Sequence, residues 1–220
     1  MHRCITEFQF KKRQILDAFF VVNNTLDISL EVYYNTIMDE KWAMIDIETL
    51  GTGDMPVILS IGIILFNPWE DYRNTDIKDL NTLYLKPSIE SSIAIDCEID
   101  DDTLTWWSTQ DEEIINEAFS EEGREDIQEV MKKLYKFSRN CDFYWAHGAV
   151  FDYNILEHVA KKLQRGVPWR YWQVRDTRSL FGLVDAELPD AARHNALYDS
   201  YRQVIGLQNV FRLLKIVNYN

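Results

Sequence analysis

The stretch "WAMIDIETLGT", residues 42–52, constrains the chain more than any other, because two acids interrupt what otherwise reads as a buried β-strand. Side chains two residues apart on a strand share a face. Asp46 and Glu48 therefore project side by side, while Ile45 and Ile47 face the opposite layer. Two like charges that close cost free energy unless a cation sits between them. Hard divalent cations such as Mg²⁺ prefer carboxylate oxygens. A strand end at which both acids are simply exposed explains the pair equally well, so the pair alone leaves both readings open.

Two later stretches bear on the choice. "WAHGAVFD" puts Asp152 after a predicted strand and a His-Gly turn, at the start of a predicted helix. "HNALYD" puts His194 and Asp199 five apart at the head of the last predicted helix. That spacing is wider than the three or four that share a face best, yet it keeps both side chains along one edge. A lone acid at a helix N-terminus is usually a cap, and a lone surface histidine usually has no function. The whole set is harder to dismiss.

The chain has 220 residues, 46 % of them hydrophobic, with seven Trp, eleven Tyr and eleven Phe. That suffices for one core-bearing domain, or for one domain plus a short appendage. A net charge of −13 argues against a broad basic nucleic-acid surface, though phosphates can still be met through bound metal ions. Cys4, Cys97 and Cys141 are scattered and show no metal-ligand or disulfide spacing, which suits a reducing cytosol. No apolar stretch approaches the ~20 residues of a membrane span, and the first residues lack a signal-peptide pattern.

From Trp42 onward the alternation predicts strands at "WAMIDIE", "PVILSIGIILFNP" and "LNTLYLKP". Helices are expected in "DDTLTWWSTQ", "DEEIINEAFS", "GREDIQEVMKKLYKFSRN" and "FDYNILEHVAKKL", with a long closing helix from "HNALYD". "DFYWAHG" and "RYWQVRD" are expected strands. Strands first, then strands alternating with helices, give an α/β mixed sheet flanked by helices. Residues 1–40 carry no motif and are expected to be an appendage, or an upstream extension before Met38. A short helix at "RQILDAFFVV" and a strand at "LDISLEVYY" are expected within them. Residues 41–217 form the expected catalytic domain.

The order Asp-x-Glu, then Asp after a Gly-bearing turn, then His-x-x-x-x-Asp resembles the DEDDh 3′–5′ exonucleases, which include ribonuclease T, oligoribonuclease and polymerase proofreading domains. "DIETLGT", "HGAVFD" and "HNALYD" are similar to their three motifs. "TLTWWSTQ" and "PWRYWQVRDTRSL" are similar to a bacterial and phage 3′–5′ exoribonuclease-like branch. The resemblance implies a ribonuclease H-like sheet, with the first three strands antiparallel and later strands parallel to the first. It implies that Asp46, Glu48, Asp152 and Asp199 hold two Mg²⁺ (or Mn²⁺) ions, and that His194 is the general base. Histidine suits that role because it titrates near neutrality. Leu50, Gly51 and Thr52 would receive the terminal nucleotide. His147 stands where the family often has Asn. The implied substrate is RNA or single-stranded DNA, shortened from its 3′ end in a bacterial or phage-infected cytoplasm, with no membrane partner and a homodimer as the common assembly.

Other residues extend the expected site. Trp106 and Trp107 diverge by ~100° on a helix, so one belongs to the core and the other is free to stack on a base; we assign the stacking role to Trp107. The basic, aromatic stretch Lys161–Arg178 contains one acid, Asp176. It reads as a nucleic-acid track or as a solvated helix end, and Arg175 is its candidate contact. Asp176 is expected to cap a helix. Three competing activities fit less well. An Asp-x-Asp phosphatase wants Asp at position 48, a ribonuclease H-type endonuclease has no need of His194, and a non-catalytic binding module would not keep four acids.

Overall fold

The computed structural model describes residues 40–184, 186–190 and 194–216. The helix and strand expected before residue 40 lie outside them. The chain divides into two units between Glu40 and Lys41, and the second is the one described.

Its sheet has six strands in the order β4-β3-β2-β1-β5-β6. They are β1 (Trp42–Thr49), β2 (Ile58–Phe66), β3 (Asn81–Pro87), β4 (Arg124–Glu125), β5 (Phe143–Ala146) and β6 (Val174–Asp176). β1, β2 and β3 pair antiparallel, whereas β5 joins β1, β6 joins β5 and β4 joins β3 in parallel. This is the mixed ribonuclease H-like sheet expected from the motifs. All nine residues of β2 are buried, as a strand covered on both faces must be.

The helices are α1 (Ile89–Ile93), α2 (Asp101–Trp107), α3 (Glu112–Phe119), α4 (Ile127–Ser138), α5 (Ala149–Lys162), α6 (Thr177–Phe181) and α7 (Ala196–Leu213). Side-chain oxygens of Asp100, Asp126, Asp176 and Asn195 accept backbone N–H groups at the starts of α2, α4, α6 and α7, relieving the unpaired donors of a helix N-terminus. Asp176 is thus a cap, as its sequence context suggests.

Each face of the sheet carries its own core. Ile45, Ile47, Ile61 and Ile63 pack in one cluster with Val130 and Leu134 of α4 and Leu156 and Val159 of α5. On the other face Trp42, Met44, Ile64, Phe66 and Trp145 pack with Val204, Leu207 and Phe211 of α7. Each such side chain contributes about 1.5–3 kcal/mol when fully buried, so α7 is held along most of its length.

Three differences from the expected elements have local causes. β4 is two residues long, too short to show alternation, and its register rests on Arg124. That guanidinium donates to the carbonyls of Pro87 and Ala118 at 2.7 and 2.6 Å. α1 was not foreseen; it is a single turn capped by Ser88. "RYWQVRD" is strand only from Val174, because the Gln173 side chain accepts from Arg170 N and donates to Cys141 O, which closes a turn there.

Candidate active site

β1 changes character along one face. Trp42 and Met44 lie opposite Phe66 and Ile64, and then Asp46 and Glu48 lie opposite Gly62 and Ser60. The first two pairs sit in the α7 core; the last two open into the site. α7 meets the sheet at that transition. A Cβ on Gly62 would lie 2.2 Å from the carbonyl carbon and oxygen of Ala196, so only glycine allows the helix start to approach so closely. Ser200 Oγ donates to Gly62 O at 3.1 Å and fixes the seat.

The contact delivers Asp199 to β1. One carboxylate oxygen each from Asp46, Glu48 and Asp199 lie within 4.8 Å of one another, and all three residues are partly exposed. Desolvation, with repulsion from Asp152, Glu48 and Asp199, holds Asp46 well above the ordinary carboxylate value. Desolvation, followed by repulsion from Asp199 and Asp152, pushes Glu48 up to about 8. Carboxylates this crowded are costly without a cation, and an all-oxygen donor set is what a hard divalent ion takes. The residues therefore fit the metal dependence expected of such a site.

Asp152 lies beside this group in a different setting. It is 3 % exposed in the first turn of α5, and its Oδ1 accepts the Ile47 backbone N–H at 3.2 Å. Desolvation pushes it up to about 7 against the lowering effect of its backbone hydrogen bonds. The turn before α5 requires Gly148, whose φ is +97° and whose added Cβ would lie 3.0 Å from Arg178. His147 packs against Phe181 and its Nδ1 is 3.1 Å from Thr177 Oγ1.

His194 is held in the left-handed region at φ +59°, a strained conformation that clusters at functional sites. Its backbone N–H donates to Asp199 Oδ2 at 2.7 Å, and its ring meets the Trp106 ring edge-on, 4.9 Å between centroids.

The expected substrate residues divide. Leu50 is 2 % exposed in the core, and Gly51 is buried close to Pro56 and Asp100. Thr52 is exposed and lines a groove of about 390 Å³ with Val150, Phe151, Asn154 and Arg178, on the exposed side of the α5 turn that buries Asp152. The assignment of base stacking to Trp107 is overturned. Trp107 is 2 % exposed and its indole N–H donates to Thr49 O at 2.9 Å, while Trp106 is the exposed neighbour. Arg175 is committed to the protein: its guanidinium lies 4.3 Å over the Phe143 ring and donates to Trp172 O and Val174 O. Arg202 and Gln203 were not foreseen as site residues. They follow Asp199 by three and four positions, the one-face spacing that could have revealed them.

Asp46 and Glu48 at the end of the central strand thus meet Asp199 of α7, with His194 two residues before that helix, on a ribonuclease H-like sheet. Residues 41–211 match the 3′-5′ exoribonuclease Rv2179c-like domain, and the chain belongs to that family. It is 27 % identical over 156 residues to an exodeoxyribonuclease of Enterobacteria phage T4, covering 62 % of this chain and 68 % of the relative. The fold is similar to E. coli exonuclease I in a zinc-bound complex with single-stranded DNA (TM-score 0.54, 12 % identity), over 80 % of this chain and 41 % of that one. The chain thus spans less than half of exonuclease I. The fold also resembles the nuclease domain of 3′hExo, a DEDDh member bound to rAMP (TM-score 0.50, 14 % identity, 80 % and 92 % covered). Among the described residues no helix is long and apolar enough to cross a membrane.

Proposed function

We propose that this exonuclease removes nucleotides one at a time from the 3′ end of RNA or single-stranded DNA. Asp46, Glu48, Asp152 and Asp199 are the proposed holders of two divalent ions, Mg²⁺ or Mn²⁺, and residues 41–217 the catalytic domain, with 1–40 an appendage. The observation that carries the reading is the meeting of Asp46, Glu48 and Asp199 oxygens within 4.8 Å. When bound, divalent ions supply Lewis-acid activation of water and charge compensation at the scissile phosphate. The protein's part is geometric and protolytic. β1 and α7 fix the carboxylates, and His194, tethered through its N–H to Asp199, takes a proton from the attacking water as general base. Thr52 and the groove beside it receive the 3′ nucleotide, with a hydroxyl able to donate or accept. A homodimer and a cytoplasmic location, in a bacterial or phage-infected cell, complete the proposal on the strength of the resemblance.

The test uses 5′-labelled single- and double-stranded RNA and DNA with Mg²⁺ or Mn²⁺. Stepwise shortening from the 3′ end supports the proposal and ranks the substrates. Internal cuts, as a ribonuclease H-type endonuclease would make, or equal activity in excess EDTA would overturn it. Asp199→Asn and His194→Ala are expected to lose about 10²-fold or more, the scale of a general base, with cooperative melts retained. An active His194→Ala protein would remove the base assignment.

A further inference from the structure

One turn beyond Asp199, two neighbouring side chains of α7 each close on a different carboxylate of the cluster. Arg202 Nη1 donates to Asp199 Oδ1 at 3.0 Å, and its Nε donates to Pro189 O at 3.0 Å. The ion pair is largely enclosed, its side chains 14 % and 18 % exposed. Gln203 Nε2 donates to Asp46 Oδ1 at 2.8 Å.

Gln203 is the more telling of the two. It is 7 % exposed, and its Oε1 has no hydrogen-bond partner among the described residues. A buried acceptor left unpaired is destabilising, so a residue chosen for packing alone would be Leu or Met. What the amide supplies in exchange is its N–H to Asp46. Arg202 likewise joins two things that must stay in register. Its second arm holds Pro189, in the segment that leads towards His194, and the same helix face continues that grip. Asn209 Nδ2 donates to Glu187 O at 2.6 Å, and Leu188 Cδ2 would lie 2.4 Å from a Cβ on Gly206.

We infer that Arg202 and Gln203 are positioning residues, which hold Asp199 and Asp46 at the separation a divalent cation needs. The inference rests on the metal-binding reading above. These two donors fix Asp199 and Asp46 from one rigid helix before any cation arrives. Binding then requires little rearrangement of the ligands. Hydrogen bonds to ligating groups contribute about 10–100-fold in metal affinity or activity.

The test titrates Mn²⁺ into the full-length, EDTA-stripped protein by calorimetry, alongside melts and oligonucleotide kinetics. Gln203→Met and Arg202→Met are expected to bind Mn²⁺ about 10–100-fold more weakly. Their kcat should recover in excess Mn²⁺, with KM for the oligonucleotide within about twofold of the parent protein's. If either variant fails to fold, Gln203→Asn, too short to reach Asp46, and Arg202→Lys, lacking the second arm, carry the same expectation. Mn²⁺ affinities like the parent's, or a weakened melt with unchanged Mn²⁺ binding, would overturn the inference. Tighter binding in Arg202→Met, the result if the guanidinium merely competes with the cation, would overturn the part assigned to Arg202. A parent protein that binds no Mn²⁺ would sink the metal reading and this inference together.

Discussion

The indole of Trp107 donates to Thr49 O, one residue past Glu48, and leaves the residue 2 % exposed, whereas Trp106 stays 42 % exposed with its ring against His194. The Trp107 ring also approaches His194, at 6.4 Å between centroids against 4.9 Å for Trp106, so the two residues differ chiefly in burial. Trp107→Ala leaves a large cavity beneath the end of β1 and is expected to cost about 3–5 kcal/mol of stability. Trp106→Ala removes exposed surface and should change stability by less than about 1 kcal/mol. Its effect should fall on activity, because the His194 ring loses the aromatic edge that limits its rotation. Denaturant melts and 3′-end shortening rates on the two variants separate these outcomes. A Trp106→Ala protein with the parent's rate would show that the ring contact does not matter to the histidine.

At the scale of elements, α7 matters most, and what places it is a residue with no side chain. Gly62→Ala would drive a methyl into the Ala196 backbone, which is not a flexible side-chain end that can swing aside. Overpacking of this kind costs about 1–3 kcal/mol. Shifting the helix would also carry Asp199 away from Asp46 and Glu48, and a displacement of about 1 Å can cost on the order of 10² in rate. Gly53→Ala, with nothing within 4 Å, is the stability control; equal melts and equal Mn²⁺ binding for the two variants would refute the close-approach argument. Gly62 also marks where the sequence stops being legible. Asp46 and Glu48 declare their shared face through period-two alternation, and Asp152, His194 and Asp199 declare themselves as motifs. Nothing local says that position 62 faces a helix 134 residues later. The same limit explains the other misses. Base stacking is expected of Trp107, but tertiary packing decides which of two adjacent rings is buried, and it leaves Trp106 outside. Arg124 builds β4 through its guanidinium, which no hydrophobic period reports.

At the scale of the whole molecule, the site is a concentrated cost within a chain of net charge −13, and that cost has a pH signature. Folding raises Glu48 from 4.5 to about 8 and Asp152 from 3.8 to about 7. Between the ordinary carboxylate range and about pH 8, the folded metal-free protein therefore holds protons that the unfolded chain has released. Unfolding releases protons there, so stability falls as pH rises through that window. Other shifted groups act elsewhere. Asp71, lowered to about 2 chiefly by Arg73, loses its contribution only below about pH 4. His147, lowered by desolvation and by Arg178, makes stability rise with pH only up to the ordinary histidine value of about 6.5. The clean window therefore runs from about pH 6.5 to 8. In EDTA the melting temperature should fall across it. Cations bind the deprotonated ligands and stabilise only the folded chain, so the rise in melting temperature on adding Mn²⁺ should be larger near pH 8 than near pH 6.5. A metal-free melting temperature that climbs through the window would mean that the raised carboxylates are not the groups setting the protein's pH response.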